Sequence, residues 1–139
     1  MFLRNRFSFN TGLPHPKNVY DAFSGKDGIF DGLKPGTVWI DHSTTDYGQN
    51  KFFAEQAAKK ESHVLECPIT GGLHALQKGQ MAVWVAGEKD VYESVKPVLD
   101  ASYSTILYTG GVGTAMIPKV ISNMLCFLPN NVLGRMHLT

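Results

Sequence analysis

The chain has little cysteine, little excess charge and no long apolar run, and each shortage excludes a class of protein. Cys67 and Cys126 are its two cysteines among 139 residues; two are too few for a disulfide framework and favour half-buried thiols in a reducing compartment. Thirteen basic and twelve acidic residues leave a net charge of +1, so no nucleic-acid partner is expected. No apolar run approaches the ~18 residues of a membrane span, so no membrane partner is expected either.

Metal-ligand spacing is also missing, because the five histidines are dispersed along the chain. We therefore expect no metal site. The first twenty residues carry basic side chains and no acid, a faint similarity to a mitochondrial presequence, and they contain no secretory apolar region. We expect an intracellular protein, either cytoplasmic or mitochondrial.

Hydrophobic residues make up 43% of the chain, enough to form the core of one ordinary domain. Short apolar segments typical of strands alternate with segments that have helical periodicity. The predicted strands are residues 37–41, 63–67, 81–86 and 105–108. The predicted helices are residues 19–23, a helix capped by Asp46 and running to about Lys60, a helix capped by Asp90, and residues 113–128. This alternation predicts an α/β fold with a largely parallel sheet. Lys34-Pro35-Gly36 predicts a turn before the first strand, and one face of the second helix is expected to carry Phe52, Phe53, Gln56 and Ala57.

Ligands of open α/β sheets bind beyond the carboxyl ends of the strands, so the segments that follow strands are candidate site segments. Ser43 and Thr44, after the first strand, can bond a ligand or cap the next helix. Thr70-Gly71-Gly72, after the second strand, can cradle a carboxylate or phosphate, or form a plain turn. The 110–113 segment (GGVG) resembles a phosphate loop, although it lacks the final glycine of G-x-G-x-x-G.

Lys119 and Asn123 are four residues apart and share one face of the last predicted helix. The helix is otherwise apolar, so desolvation would favour the neutral form of the lysine and suit it to proton transfer near neutral pH. The alternative is a lysine whose stem packs on the apolar surface while its head reaches water.

Taken together, these residues resemble the β-hydroxyacid dehydrogenase family, and within it the 3-hydroxyisobutyrate dehydrogenases, over about residues 13–134. Four segments carry the resemblance in the right order and spacing. They are Leu13-Pro14 with Asn18; residues 41–44 (DHST) for D-x-S-T; residues 66–72 (ECPITGG) for D-A-P-V-S-G-G; and residues 110–125 (GGVGTAMIPKVISNML) for G-x-V-G-x-G-x-x-x-K-x-x-N-N-M-L. The family members transfer hydride between NAD or NADP and a small 3-hydroxy carboxylic acid.

The resemblance also implies residue roles. Lys119 would be the general acid/base that takes the hydroxyl proton as hydride leaves, and Asn123 would hold the substrate and orient Lys119. Thr70, Gly71 and Gly72 would bind the substrate carboxylate. The residues expected to contact NAD or NADP are Leu13, Pro14, Asn18, Ser43 and Thr44.

In the family, a strand and a G-x-G-x-x-G turn precede the matching region, and an all-helical domain follows it. The resemblance therefore implies the second half of a Rossmann-type nucleotide-binding domain with the start of the long inter-domain helix. We expect residues 1–12 to be unassigned, 13–112 to form a partial NAD(P)-binding domain, and 113–139 to begin the linking helix and a truncated all-α domain. Full-length relatives are expected to be homo-oligomers.

Three departures from the family pattern fall near the proposed base. Ala115 stands for a glycine and Ser122 for an asparagine, and Pro118 directly precedes Lys119. Proline removes one helical hydrogen bond, which matters little if the helix begins near Thr114 and would mis-aim Lys119 if it begins earlier.

Other functions stay open at this point. The chain can be a non-catalytic remnant or binding module that keeps the half-fold. Glyoxylate or semialdehyde reductases and 6-phosphogluconate dehydrogenases share the glycine pair and the lysine, so these residues do not separate them from hydroxyacid dehydrogenases. Relatives that lost the lysine are nucleic-acid or chromatin partners, and the presence of Lys119 and the balanced charge argue against that class.

Overall fold

The computed structural model describes residues 7–125, which form a six-stranded sheet flanked by helices. The strands are Ser8–Thr11 (β1), Val38–Asp41 (β2), His63–Glu66 (β3), Ile69–Thr70 (β4), Ala82–Ala86 (β5) and Thr105–Gly110 (β6). The helices are Pro16–Ser24 (α1), Ile29–Gly32 (α2), Tyr47–Ala58 (α3), Gly72–Gln77 (α4), Lys89–Asp100 (α5) and residues 116–125 (α6). No helix among these described residues is long and apolar enough to cross a membrane.

The sheet consists of two parallel groups that run in opposite directions. Strands β1, β2 and β3 are parallel neighbours, and β5 is parallel to β6. The groups meet where β5 pairs antiparallel with β3 and, further along, with β4. The predicted α/β class with a mostly parallel sheet is therefore confirmed, with an antiparallel junction that the sequence did not indicate.

Two apolar clusters cover the two faces of the sheet. Helices α1 and α3 pack on one face of the sheet, where Phe23 of α1 and Phe53 of α3 pack against the fully buried Trp39. Helix α5 packs on the other face through Val91, Val95 and other residues of its apolar stripe. Successive residues of a strand point to opposite faces, so the unbroken apolar run of β2 supplies both clusters.

Local sequence signals account for most element boundaries. Asp46 caps α3 as predicted, because its Oδ1 accepts a hydrogen bond of 2.8 Å from the backbone N–H of Gln49. The predicted turn before β2 is present: Thr37 N donates to Lys34 O at 3.0 Å, and Gly36 adopts a φ of 79°. Such a positive φ favours glycine.

Several predicted boundaries are wrong. Asp90 does not cap α5, because the helix begins two residues earlier: Glu88 is the N-cap residue, without a side-chain cap, and its carbonyl accepts from Tyr92 N. Asp90 lies instead in the first turn, where an acid is still favoured by the helix dipole. Helix α6 begins at residue 116 rather than 113, and residues 126–128 of its predicted range lie outside the described residues.

Four short elements were not predicted, and the burial of one thiol was misjudged. Strand β1 lies inside the unassigned segment 1–12, α2 lies between the first predicted helix and the first predicted strand, and β4 and α4 lie between the second and third predicted strands. Cys67 is fully buried rather than half-buried. Burial raises the pKa of its thiol, and the negative charges of Asp41 and Glu66 add to this effect, so Cys67 is an inert core residue. Cys126 lies outside the described residues.

Candidate active site

The carboxyl ends of five strands meet in one row across the sheet. The aligned residues are Thr11, Asp41, Glu66, Ala86 and Gly110. In a fully parallel sheet this row would be the common carboxyl edge. Here β5 and β6 run the opposite way, and their carboxyl ends still reach the row because β3 and β5 overlap only at Glu66 and Ala86. The segments predicted to share one rim are therefore close together for a different structural reason.

Five of the predicted site residues line one open cavity of about 680 Å³. Thr70, Gly71 and Gly72 form one wall, and Lys119 and Asn123 of α6 face it. The remaining lining residues are apolar: Ile69, Leu73, Leu76 and Met81. The cavity thus combines hydrogen-bonding groups and a cation with an apolar wall, which is the usual composition of a small-molecule site.

The glycine pair on the cavity wall has a backbone that other residues would not adopt without strain. Gly71 and Gly72 have φ angles of 129° and 65°. A Cβ on Gly71 would lie 2.6 Å from the Cβ of Ala75 and 3.2 Å from Sδ of Met81. Glycine is therefore required at position 71, and it leaves the backbone open towards the cavity.

Lys119 and Asn123 face the cavity together because they are one turn apart on α6. Lys119 Nζ donates to Asn123 Oδ1 at 3.1 Å. Pro118 is the third residue of the helix, so the hydrogen bond that it cannot make is among those missing at any helix start. The proline does not disrupt the turn that carries Lys119, and Ser122 reinforces that turn by donating to Lys119 O at 2.9 Å.

Glu66 is the buried acid at the centre of the site, 2% exposed. Its Oε2 accepts from Gly113 N at 2.7 Å, and its Oε1 accepts from Met116 N at 3.0 Å and from Asn50 Nδ2 at 2.9 Å. Thr45 Oγ1 donates to Asn50 Oδ1 at 2.5 Å and so orients the amide. Burial raises the pKa of Glu66, and the three N–H donors oppose that rise by stabilising the carboxylate.

A second polar cluster joins the ends of β1 and β2. Asp41 Oδ1 accepts from Thr11 Oγ1 at 2.8 Å, from Ser43 N at 3.1 Å and from Ser43 Oγ at 2.6 Å. Ser43 Oγ accepts in turn from Leu13 N at 2.9 Å, and Thr11 Oγ1 accepts from Trp39 Nε1 at 2.7 Å. The Ser43 hydroxyl is buried; it donates to Asp41 Oδ1 and accepts from Leu13 N, so in this structure it holds the backbone at Leu13.

The predicted cofactor residues therefore fall into two groups. Ser43 is buried and hydrogen-bonds to the backbone of Leu13, and the members of the second group are exposed to solvent. Pro14 and Thr44 are exposed just beyond the carboxyl ends of β1 and β2, and Asn18 is exposed in the first turn of α1. None of the five predicted cofactor residues is among the residues that line the 680 Å³ cavity. The site consequently has two regions, a cavity region on β4 and α6 and a rim region on β1 and β2.

His42 lies between these two regions and is held on both ring nitrogens. Its Nδ1 lies 3.0 Å from Cys67 O and 3.2 Å from the Tyr103 hydroxyl, and its Nε2 lies 3.2 Å from Asn10 Oδ1. Burial lowers the pKa of His42, and the Cys67 carbonyl and the charge of Asp41 oppose this in part. The folded protein therefore favours the neutral imidazole.

This lowered pKa predicts a loss of stability in mild acid. In the unfolded chain His42 binds a proton with a pKa near the ordinary value of 6.5. In the folded chain it binds this proton only at lower pH. The contribution of neutral His42 is thus present above about pH 6.5 and is lost as the pH falls towards the folded-state pKa. Urea unfolding measured at several pH values is expected to show this decline, and His42→Asn is expected to reduce it. His74→Asn, at an exposed position, is the control; an unchanged decline in His42→Asn contradicts the assignment.

Sequence reasoning missed Asn50 and gave Glu66 no role beyond replacing a family Asp. The signal for Asn50 was available: Asn50, Phe53 and Ala57 share the buried face of α3, and a polar residue in an apolar stripe needs a partner. The sequence analysis instead placed Phe52 and Gln56 on that face. The partner, Glu66, is distant in sequence and becomes visible only in the fold.

Comparison with known proteins gives one family and several relatives. The model of the NAD-binding domain of 6-phosphogluconate dehydrogenase matches residues 8–110. Human mitochondrial 3-hydroxyisobutyrate dehydrogenase is 33% identical over 115 residues, which is 83% of this chain and 34% of the human protein. The chloroplastic glyoxylate/succinic semialdehyde reductase 2 of Arabidopsis thaliana is 30% identical over 113 residues, 81% of this chain and 32% of that protein. The chain thus spans about a third of the length of these curated relatives.

A solved structure supports the fold. The crystal structure of 3-hydroxyisobutyrate dehydrogenase from Salmonella typhimurium superimposes with a TM-score of 0.75 at 24% identity, covering 85% of this chain and 41% of that one. The two curated relatives described above are named as a mitochondrial and a chloroplastic protein. The compartment of this chain stays a prediction. The predicted resemblance to the hydroxyacid dehydrogenases is confirmed, and so is the predicted cofactor class, NAD or NADP. The chain belongs to the family of NAD-binding domains described for 6-phosphogluconate dehydrogenase.

Proposed function

We propose that this chain carries the substrate-binding and proton-transfer part of an NAD(P)-dependent 3-hydroxyacid dehydrogenase. The observation that supports this most directly is the shared cavity, in which Lys119 and Asn123 face Thr70, Gly71 and Gly72. A glycine-rich wall with a hydroxyl suits a small carboxylate, and a lysine amine beside the carbonyl or hydroxyl carbon suits proton transfer. The substrate class is a small 3-hydroxy carboxylic acid such as 3-hydroxyisobutyrate.

The residue roles follow from this placement. The substrate carboxylate would be bound by the Thr70 hydroxyl and the backbone N–H groups of Gly71 and Gly72. Lys119 would accept the proton of the substrate hydroxyl at its Nζ during oxidation and return it during reduction. Asn123 would keep Lys119 aimed at the hydroxyl through their hydrogen bond. The apolar wall would exclude water from the reacting carbon.

The cofactor would supply the hydride acceptor, and the described residues fit one end of it. Pro14 and Thr44 are exposed beyond the carboxyl ends of β1 and β2, and Asn18 is exposed in the first turn of α1. A nicotinamide and its ribose can lie at this edge of the sheet. Leu13 is held in place there by Ser43. The sequence contains no G-x-G-x-x-G turn, which in this family of folds holds the pyrophosphate. The fit therefore extends to the nicotinamide end alone.

Two other functions deserve a test. The similarity to a glyoxylate/succinic semialdehyde reductase favours reduction of a small aldehyde acid as the second candidate, since a carboxylate cradle and a lysine serve that reaction equally. The third candidate, which the sequence analysis left open, is a binding module without turnover.

Carboxylate binding tests the proposal without requiring turnover. When 3-hydroxyisobutyrate is titrated into the ¹⁵N-labelled chain, we expect saturable shifts in the amide signals of Thr70, Gly71 and Gly72. Gly71→Ala is expected to remove most of this binding, because its Cβ would collide with Ala75. Gly32→Ala is the matched control, since Gly32 is exposed and a Cβ there meets nothing within 4 Å.

The outcomes separate the candidate functions. Preference for glyoxylate or succinic semialdehyde over the hydroxyacid would favour the reductase. Binding without hydride transfer to NAD or NADP would favour the module. Shifts confined to other surfaces, or equal losses in the two glycine variants, would contradict the proposed cradle.

A further inference from the structure

We infer that Glu66 is a positioning residue that holds the start of α6 against the strand segment leading to the substrate cradle. The inference rests on the proposed function in one respect: it gives Glu66 the task of placing Lys119 and Asn123 opposite Thr70, Gly71 and Gly72. The attachment of α6 to the sheet by Glu66 can be tested independently of any ligand.

The first step is the use of both carboxylate oxygens at the helix start. Oε2 accepts from Gly113 N and Oε1 from Met116 N, at 2.7 and 3.0 Å. The N–H groups at a helix start lack partners inside the helix, and the helix dipole favours a negative charge beside them. A single side chain therefore accepts from Met116, the first residue of α6, and from Gly113 in the turn that precedes the helix.

The second step is the position of Glu66 in the chain. It ends β3 and lies four residues before Thr70, so the strand segment that carries it continues directly into the cradle. Met116, which it holds, lies three residues before Lys119. The carboxylate of Glu66 thus connects the two walls of the cavity directly. Along the polypeptide chain, β5, α5 and β6 lie between these walls.

The third step is the support of the carboxylate from α3. Asn50 donates to Oε1, and Thr45 fixes the orientation of Asn50 by donating to its Oδ1. Thr45 directly follows Thr44, which we place at the cofactor rim. The same network therefore ties α6 to both the cradle and the rim, through groups that are all buried.

The fourth step is the close packing of α3 against the turn that carries Gly113. Gly113 has a φ of 98°, and a Cβ there would collide with the ring of Tyr47, the first residue of α3. The Tyr47 ring therefore packs directly on the backbone of Gly113, whose N–H donates to Glu66. An acid in such a buried position is costly unless its oxygens are satisfied, and here three N–H donors satisfy them.

Glu66→Gln tests the inference because it keeps the size of the side chain and replaces one acceptor oxygen by an NH₂ donor. Gly113 N or Met116 N then loses its acceptor, and we expect α6 to reorient relative to the sheet. Residual dipolar couplings of the ligand-free chain measure this orientation, with α5 as the internal reference. Faster amide exchange at Gly113 and Met116 is expected as well. Glu55→Gln, an exposed residue of α3, is the matched control.

Glu66→Asp is the second variant, and it covers the case in which Glu66→Gln does not fold. It keeps both acceptor oxygens on a side chain about 1.5 Å shorter, so we expect protected amides at Gly113 and Met116 with a small shift of α6. Unchanged α6 couplings in a folded Glu66→Gln chain would overturn the inference. If that chain does not fold, unchanged couplings in Glu66→Asp would do the same.

Ligand affinity distinguishes positioning from plain stabilisation. At a temperature where the variants are folded, Glu66→Gln is expected to weaken 3-hydroxyisobutyrate binding roughly tenfold or more, and Glu66→Asp to restore most of it. Reorientation of α6 without any change in affinity would overturn the positioning role. If the unmodified chain binds no carboxylate, the proposed function fails, while the dipolar couplings still decide whether Glu66 holds α6.

Discussion

Replacing Trp39 with alanine is expected to lower the free energy of unfolding by about 3–5 kcal/mol, the usual range for a large buried aromatic residue. Trp39 is 0% exposed in the middle of β2. Its ring lies 5.4 Å from the ring of Phe23 and 5.3 Å from that of Phe53, and 6.3 Å from that of Phe9. The cluster thus joins β1, α1 and α3 through one side chain.

The indole N–H adds a polar link to this cluster. Trp39 Nε1 donates to Thr11 Oγ1, which donates in turn to Asp41. Truncation would leave a cavity and also remove the donor that orients Thr11 at the end of β1. We therefore expect the rim region at β1 and β2 to loosen together with the core.

Urea denaturation followed by circular dichroism measures this loss. Trp39→Phe is expected to cost less, because it keeps an aromatic ring and loses mainly the hydrogen bond to Thr11. Trp84→Ala, at a partly buried position of β5, is the second control and should cost less than Trp39→Ala. Equal losses of the free energy of unfolding in Trp39→Ala and Trp84→Ala would show that the aromatic cluster around Trp39 adds nothing to the stability beyond the burial of one tryptophan.

Local patterns in the sequence predicted the elements that depend on neighbouring residues. The cap at Asp46, the turn at Gly36 and the alternation of strands and helices are all short-range features, and the structure contains them. Strand β1 was missed because three of its four residues are polar and, among the described strands, it pairs with β2 alone. The antiparallel junction was missed because it consists of three aligned pairs, one between β3 and β5 and two between β4 and β5.

For the candidate site too, the sequence predicted what each segment shows by itself and did not predict the contacts between distant segments. The motifs identified five of the nine residues that line the cavity, since their chemistry is visible in each segment alone. The contacts of Glu66 with Asn50, Gly113 and Met116 were not predictable, because they join residues 16 to 50 positions apart. The division between exposed Thr44 and occupied Ser43 also depends on side-chain contacts that adjacent residues in the sequence do not reveal.

Replacing Lys119 with methionine is expected to reduce hydride transfer by roughly 10²–10⁴-fold, the usual contribution of a general acid or base. Methionine keeps an unbranched apolar stem on α6 and removes the amine that would accept the substrate hydroxyl proton during oxidation and return it during reduction. Carboxylate binding is expected to weaken far less, because Thr70, Gly71 and Gly72 stay in place on the opposite wall of the cavity.

The comparison of rate with affinity is what identifies Lys119 as the base. Hydride transfer is followed by the absorbance of the reduced nicotinamide, and affinity by the amide shifts of the glycine pair. Asn123→Ala is expected to lower the rate by a smaller factor, since it removes one hydrogen-bond partner of Nζ and keeps the lysine itself. Lys78→Met, which changes an exposed lysine outside the cavity, should leave both quantities unchanged. A Lys119→Met protein that loses affinity but keeps its rate would place the lysine among the carboxylate ligands and assign the proton to another group.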